Sequence, residues 1–150
     1  MAYSTITGLT RWIDTGELVR LCTADPEATL ESEDVVSVAQ EAIQCADAEI
    51  DSYLLGRWPA LRLYDPVPDE INRLSAIIAV YNLYLRRRAV NEAWRSSYED
   101  CRAKLAAASS GEYCLGLDGQ GNPAAGAERV YRTDAQEKDR VYNPEKLQML

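Results

Sequence analysis

Histidine is missing from all 150 residues, which removes the commonest zinc-ligand patterns and every His-based catalytic arrangement. Paired cysteines are missing too: Cys22, Cys45, Cys101 and Cys114 are far apart and form no Cys-x-x-Cys motif. They read as small buried apolar residues of a reducing compartment. No stretch approaches the roughly 18 consecutive apolar residues of a membrane-spanning helix. The start "MAYSTITGLTRW" has no basic n-region and no long apolar h-region, so a soluble intracellular product without a signal peptide is expected. Basic residues are scarce at one end. Residues 1–51 hold eleven Asp and Glu against only Arg11 and Arg20, while the other 99 residues hold thirteen acids and fourteen bases. That asymmetry argues against a broad grip on nucleic acid, which needs clustered Lys and Arg. It is compatible with a surface that DNA slides past.

What is present is helical periodicity. Ile6, Leu9 and Ile13 mark a short first helix, capped by Ser4 or Thr5. Asp14 and Glu17 form a capping-box pattern for a second short helix that runs to about Cys22. After a loop containing Pro26, Ser32 is placed as an N-cap. Val35, Ala39, Ala42, Ala46, Ile50 and Tyr53–Leu54 then trace the buried stripe of a long acidic helix over residues 33–55. Gly56 suits a left-handed C-terminal turn, and Pro59, Pro66 and Pro68 predict a stiff, extended connection. Pro68 is placed at a first helical position. The segment "AIIAVYNLYL", residues 76–85, is apolar on nearly every side and belongs at the centre of a bundle. Arg86–Arg88 end it, and Trp94, Tyr98, Cys101, Leu105 and Ala108 define a last helix. No Gly or Pro separates the two stretches, which leaves a bent continuous helix open, but a break between Arg86 and Asn91 is expected.

The expected fold is therefore all-α, a compact bundle of about five helices over residues 1–110. Residues 111–150 read as a Gly-rich linker and an extended C-terminal arm. Five of the eight glycines fall in "SSGEYCLGLDGQGNPAAGAE". The arm repeats "RVY" at 129–131 and 140–142; it has too little apolar surface to fold on itself, so it needs a neighbour to lie on.

The stretch "CADAEIDSYLLGRWPAL", residues 45–61, raises the question of chemistry, since Asp47 and Asp51 share one helix face. A metal cage would need further oxygen ligands, and a general acid would need apolar surroundings. The simpler expectation is that both aspartates flank the buried stripe and meet arginines such as Arg57 or Arg73. Arg86, Arg87 and Arg88 suit a helix C-terminus and pairing with the acidic long helix, or else a protein interface. Trp12, Trp58 and Trp94 read as core or interface anchors. "GLDGQG" does not join a strand to a helix and is no phosphate loop.

The order and spacing of "MAYSTITGLTRWI…GELVRLCTAD", "ADAEIDSYLLGRW" and "VPDEINRLSAIIAVYNLYLRRRA" resembles a family of small proteins of Mu-like tailed phages. That family is counted among the head–tail connector, or adaptor, proteins. The similarity covers roughly residues 1–115, and "DRVYNPEKLQML" is similar to the basic-aromatic-then-leucine ending of the group. The resemblance implies a helical wedge, about a dozen copies of which form a ring. The ring would lie under the portal in the virion neck, with a tail-side connector or terminator protein below and DNA passing through without specific binding. It implies no cofactor, no metal, no catalysis and no membrane. Candidate lumen acids are Glu31, Glu33, Asp34 and Glu41. Candidate docking residues of the arm are Val141, Tyr142, Leu147, Met149 and Leu150.

Two other readings remain open in the sequence. A regulatory protein would use residues 5–22 as a helix-turn-helix reader, with "GELVRLC" offering Arg20 alone. A metal-dependent enzyme would use Asp47 and Asp51.

Overall fold

A computed structural model describes residues 2–117, and the arm residues Val141, Tyr142, Leu147, Met149 and Leu150 lie outside the described residues. The chain runs α1 (Ile6–Leu9), α2 (Thr15–Cys22), α3 (Glu33–Leu54), a 3-10 turn (Leu61–Leu63), α4 (Asp69–Arg86) and α5 (Glu92–Ser110), with no strand among the described residues. This is the expected helical bundle, with its two short, one long, one central and one final helix.

α4 packs against each of the other four helices. Its residues Leu74 to Val80 are buried without interruption, because nearly every position from Ile71 to Tyr84 that faces a neighbour is apolar. Leu85, the next residue, is exposed. α3 runs antiparallel to it. Ala42 and Cys45 lie beside Leu83 and Leu85, whereas Asp47, further along α3, bonds Ser75, further back along α4. None of the helices is long and apolar enough to cross a membrane among the described residues.

Phenylalanine is absent and nine tyrosines are present, so aromatic packing brings hydroxyls that need partners. Tyr3, Tyr84 and Tyr98 each donate to a carboxylate on an element other than their own: Asp51, Glu17 and Glu49 respectively. Tyr98 also stacks flat on Tyr81, ring centroids 4.1 Å apart. Burial and the Glu49 carboxylate push the Tyr98 hydroxyl up to about 12.

The helix ends depart from expectation in instructive ways. Thr5 caps α1, its Oγ1 accepting from Gly8 N at 3.0 Å. The helix is a single turn, shorter than its apolar spacing implies. Asp14 occupies the N-cap of α2 but makes no side-chain capping bond. The capping box does not close, because Glu17 is engaged by Tyr84. Ser32 stands at the N-cap of α3, yet its Oγ accepts from Thr29 N at 2.9 Å, bracing the preceding loop instead. Gly56 does not adopt positive φ; the end of α3 closes in right-handed geometry at Leu55, with Trp58 N on Leu54 O at 2.8 Å. Pro68 sits at the N-cap, one residue before α4, a difference within the usual ambiguity of helix ends. The 57–67 connection is not simply extended, since the Leu61–Leu63 turn tucks Leu61 into the core.

The expected break between α4 and α5 is present. Arg88 has φ 56, and Arg88 N and Ala89 N bond Leu85 O and Tyr84 O, both at 3.0 Å. That is a Schellman closure with an arginine where glycine is usual. α5 restarts on Asn91, whose Oδ1 accepts from Trp94 N at 2.9 Å. It ends on a second Schellman closure, with Gly111 at φ 91. The packed core includes Leu115 and Leu117, beyond the boundary read at residue 110.

Candidate functional site

The acid cluster folds inward. Asp47 and Asp51 are only 8% and 6% exposed, and every carboxylate oxygen of the pair has a protein donor. Asp47 Oδ2 accepts from Tyr3 N at 2.9 Å and its Oδ1 from Ser75 Oγ at 2.6 Å. Asp51 Oδ1 accepts the Tyr3 hydroxyl, and its Oδ2 accepts Arg62 Nε at 2.7 Å, with Arg62 Nη2 also donating to it. Asn72 Nδ2 donates to Tyr3 O at 2.8 Å, and Ser4 and Ser75 share a hydroxyl contact at 2.8 Å. An ionised Asp47 only accepts, so Ser75 donates to it and Ser4 must donate to Ser75.

The expected arginine partners are therefore corrected. Arg57 instead lies over the Trp58 ring, and Arg73 lies over Trp12 and pairs with Glu70 at 3.8 Å. Arg62 takes the role because the 3-10 turn folds the connection back over the end of α3. Burial raises the Asp47 carboxyl above its ordinary range, with the Asp51 charge adding to the rise and the Ser75 and Tyr3 bonds opposing it. The Tyr3 hydroxyl is raised by burial and by its bond to Asp51. One carboxylate thus does sit in the low-polarity surroundings that the sequence did not reveal. Both of its oxygens are already bonded, however, Oδ2 to the N-terminal segment through Tyr3 N and Oδ1 to α4 through Ser75 Oγ. The cluster works as a clasp that fixes Tyr3 and Ser4 against α3 and α4.

The other predicted residues lie on the surface. Glu31, Glu33, Asp34 and Glu41 are all exposed, on the loop before α3 and along its first half. Arg86 Nη1 donates to Leu21 O (3.4 Å) and Cys22 O (3.2 Å), and Arg87 Nε to Leu21 O at 3.0 Å. These two arginines satisfy carbonyls at the end of α2, where the helix dipole is negative. They make no ion pair with the acids of α3 among the described residues. Trp58 is buried, whereas Trp12 is 40% exposed. Cys22 and Cys101 are buried as expected; Cys45 and Cys114 are exposed, which corrects the reading of all four as core.

α2 turns Leu18, Val19, Leu21 and Cys22 inward, and Arg20 Nε reaches back to Gly16 O at 3.3 Å. α1 is a single turn, too short to serve as the first helix of a DNA-reading pair. Sequence reasoning missed Tyr3, Arg62 and Ser75, and it missed two large aliphatic side chains left outside the core, Leu63 and Leu85. An apolar residue two positions after the buried Leu61 was the available signal for Leu63.

Comparison with known proteins bears on this arrangement. No match is found among curated proteins. A family model described as "Bacteriophage Mu, Gp36" matches residues 3–132, which includes the clasp, the five helices of the described residues and part of the chain beyond them. The match covers most of the sequence, and this chain therefore belongs to the Bacteriophage Mu Gp36 family of phage proteins.

Proposed function

We propose that the protein is a structural, non-enzymatic component of a tailed-phage virion: a head–tail connector that forms a ring beneath the portal. The observation that carries this reading is the family match over residues 3–132. The architecture agrees with it. Asp47 and Asp51, the carboxylates best placed for chemistry, are spent on holding the N-terminal segment. The exposed acids Glu31, Glu33, Asp34 and Glu41 give one region of the bundle a surface that repels phosphate. In this reading copies of the chain join side by side, the portal sits above, a tail-side connector or terminator lies below, and DNA passes through the centre.

Native mass spectrometry of the chain mixed with the portal ring of its own phage tests the proposal. A complex carrying a closed set of about a dozen copies is the expected result. An intact portal that takes up no copies would overturn it.

A further inference from the structure

The fold leaves two leucines conspicuously outside. Leu63 is 82% exposed and Leu85 is 55% exposed. Leu63 ends the 3-10 turn whose first residue, Leu61, is fully buried. A 3-10 helix advances about 120° per residue, so positions 61 and 63 cannot share a face; anchoring Leu61 inward presents Leu63 to the outside. Leu85 forms the rim of a groove of about 470 Å³ between α3 and α4. Val38 and Cys45 complete that rim, and Ala42 and Leu83 form its buried floor.

The charges around the two features match. Exposed Arg62 and Asp65 flank Leu63, giving the order positive, apolar, negative. Glu41 and Arg86 stand on the polar edges of the groove, giving negative, apolar, positive. Arg62 holds Asp51 while its side chain stays more than half exposed, so the guanidinium can face outward as well. The features are also far apart. From Ala42 to Asp51, the residue that Arg62 holds, is about 13.5 Å at 1.5 Å per residue of α3, and Leu63 follows Arg62 in the turn. A knob and a groove so separated cannot meet within one copy. Between copies, each knob seated in the next copy's groove makes a head-to-tail contact, the kind that closes into rings, whereas a reciprocal two-fold exchange would stop at the dimer.

We propose that Leu63 of one copy seats in the Val38–Cys45–Leu85 groove of the next, with Arg62 facing Glu41 and Asp65 facing Arg86. This deepens the ring reading above and rests on it for its biological setting. One leucine and two charge pairs fall short of a standard stable interface, so covalent trapping is a better readout than solution mass.

Cys45 already lines the groove. In the full chain carrying Cys114→Ser, the substitution Leu63→Cys should yield, on mild oxidation, a ladder of covalent oligomers beyond the dimer. Peptide mapping should place the bond between position 63 and Cys45, because a disulfide requires Cα atoms within roughly 7 Å. Adding Leu85→Asp, which leaves Cys45 in place, should cut that ladder by about tenfold. Far-UV circular dichroism and thermal melting establish that each variant is folded. Absence of the 63-to-45 bond in folded protein overturns the interface. So do 63-to-63 and 45-to-45 bonds in equal yield, or a ladder indifferent to Leu85→Asp. Portal binding without the bond removes this interface and leaves the connector reading standing; the bond without portal binding does the reverse.

Discussion

Two aspartates four residues apart on one helix have unlike electrostatic surroundings. Asp51 faces a cation, Arg62, and a phenol. Asp47 is held by neutral donors alone, with the Asp51 charge nearby. Burial therefore raises the Asp47 carboxyl, and the folded state keeps its proton to a higher pH than the unfolded chain does. Between the ordinary value of 3.8 and the raised folded value, the native state binds more protons, so this group's contribution to stability falls as pH rises. The unfolding free energy of the wild type minus that of Asp47→Asn should accordingly decrease as urea titrations move upward from pH 3.8. A difference that grows with pH would mean that the hydrogen bonds, not burial, dominate. Tyr3 supplies both a backbone and a hydroxyl donor to this pair. Tyr3→Phe removes only the hydroxyl bond to a charged acceptor, for which about 1.5–3 kcal/mol is expected in equilibrium unfolding. Little of this was legible beforehand. The carboxylates and their i, i+4 relation are visible in the sequence, but their donors lie 44 and 48 positions away at Tyr3, and nothing in local spacing selects Arg62 over Arg57 or Arg73.

At the scale of the element, the two long C-terminal helices end with the same hydrogen bonds and opposite residues. α5 has glycine in the left-handed position and α4 has Arg88. A side chain there costs roughly 1–2 kcal/mol through its Cβ. Arg88→Gly should thus stabilise the fold by about 0.5–1 kcal/mol, the relief being partly offset by the extra freedom of glycine in the unfolded chain. Gly111→Ala should do the opposite. Its φ of 91 disfavours any side chain, and a Cβ there would run into the guanidinium of Arg57. A loss of about 1–2 kcal/mol is expected, and Gly111→Ala together with Arg57→Ala should recover only the steric part. Chemical denaturation of the two single variants gives the signs directly. The contrast also explains which helix ends could be read. Periodicity and the Ser and Pro signals placed α3, α4 and α5 to within a residue or two. Gly56 misled because a helix can close in right-handed geometry without using its glycine, and the Arg88 closure carries no glycine to announce it. Asp14 and Ser32 were correctly placed as caps, but their side-chain bonds were lost to tertiary competitors, Tyr84 for the Glu17 half of the box and the Thr29 amide for Ser32.

Over the whole molecule the charge is polarised. Between Arg20 and Arg57 the sequence has nine acids and no base. Three of the nine are used by the fold: Asp47 and Asp51 in the clasp, and Glu49 by Tyr98. Asp25, Glu27, Glu31, Glu33, Asp34 and Glu41 are exposed, and no ion pair engages them among the described residues. Exposed carboxylates without partners contribute little to stability, so their value to the fold is small and a role in the assembled particle can be separated from it. Replacing Glu31, Glu33 and Asp34 together by Lys brings the formal charge from −8 to −2. Melting should change only slightly, and ring formation with the portal should persist, since Leu63, Leu85 and both charge pairs of the contact are untouched. If these acids line a passage for DNA, the lysine variant should retain duplex DNA in a salt-dependent manner, because lysines clustered at the mouth of a channel release counterions from phosphate. Phage carrying it should then assemble intact necks yet lose infectivity. Normal infectivity with the same necks would place the acidic surface on the outside of the ring, where its charge acts only on solubility and neighbouring proteins.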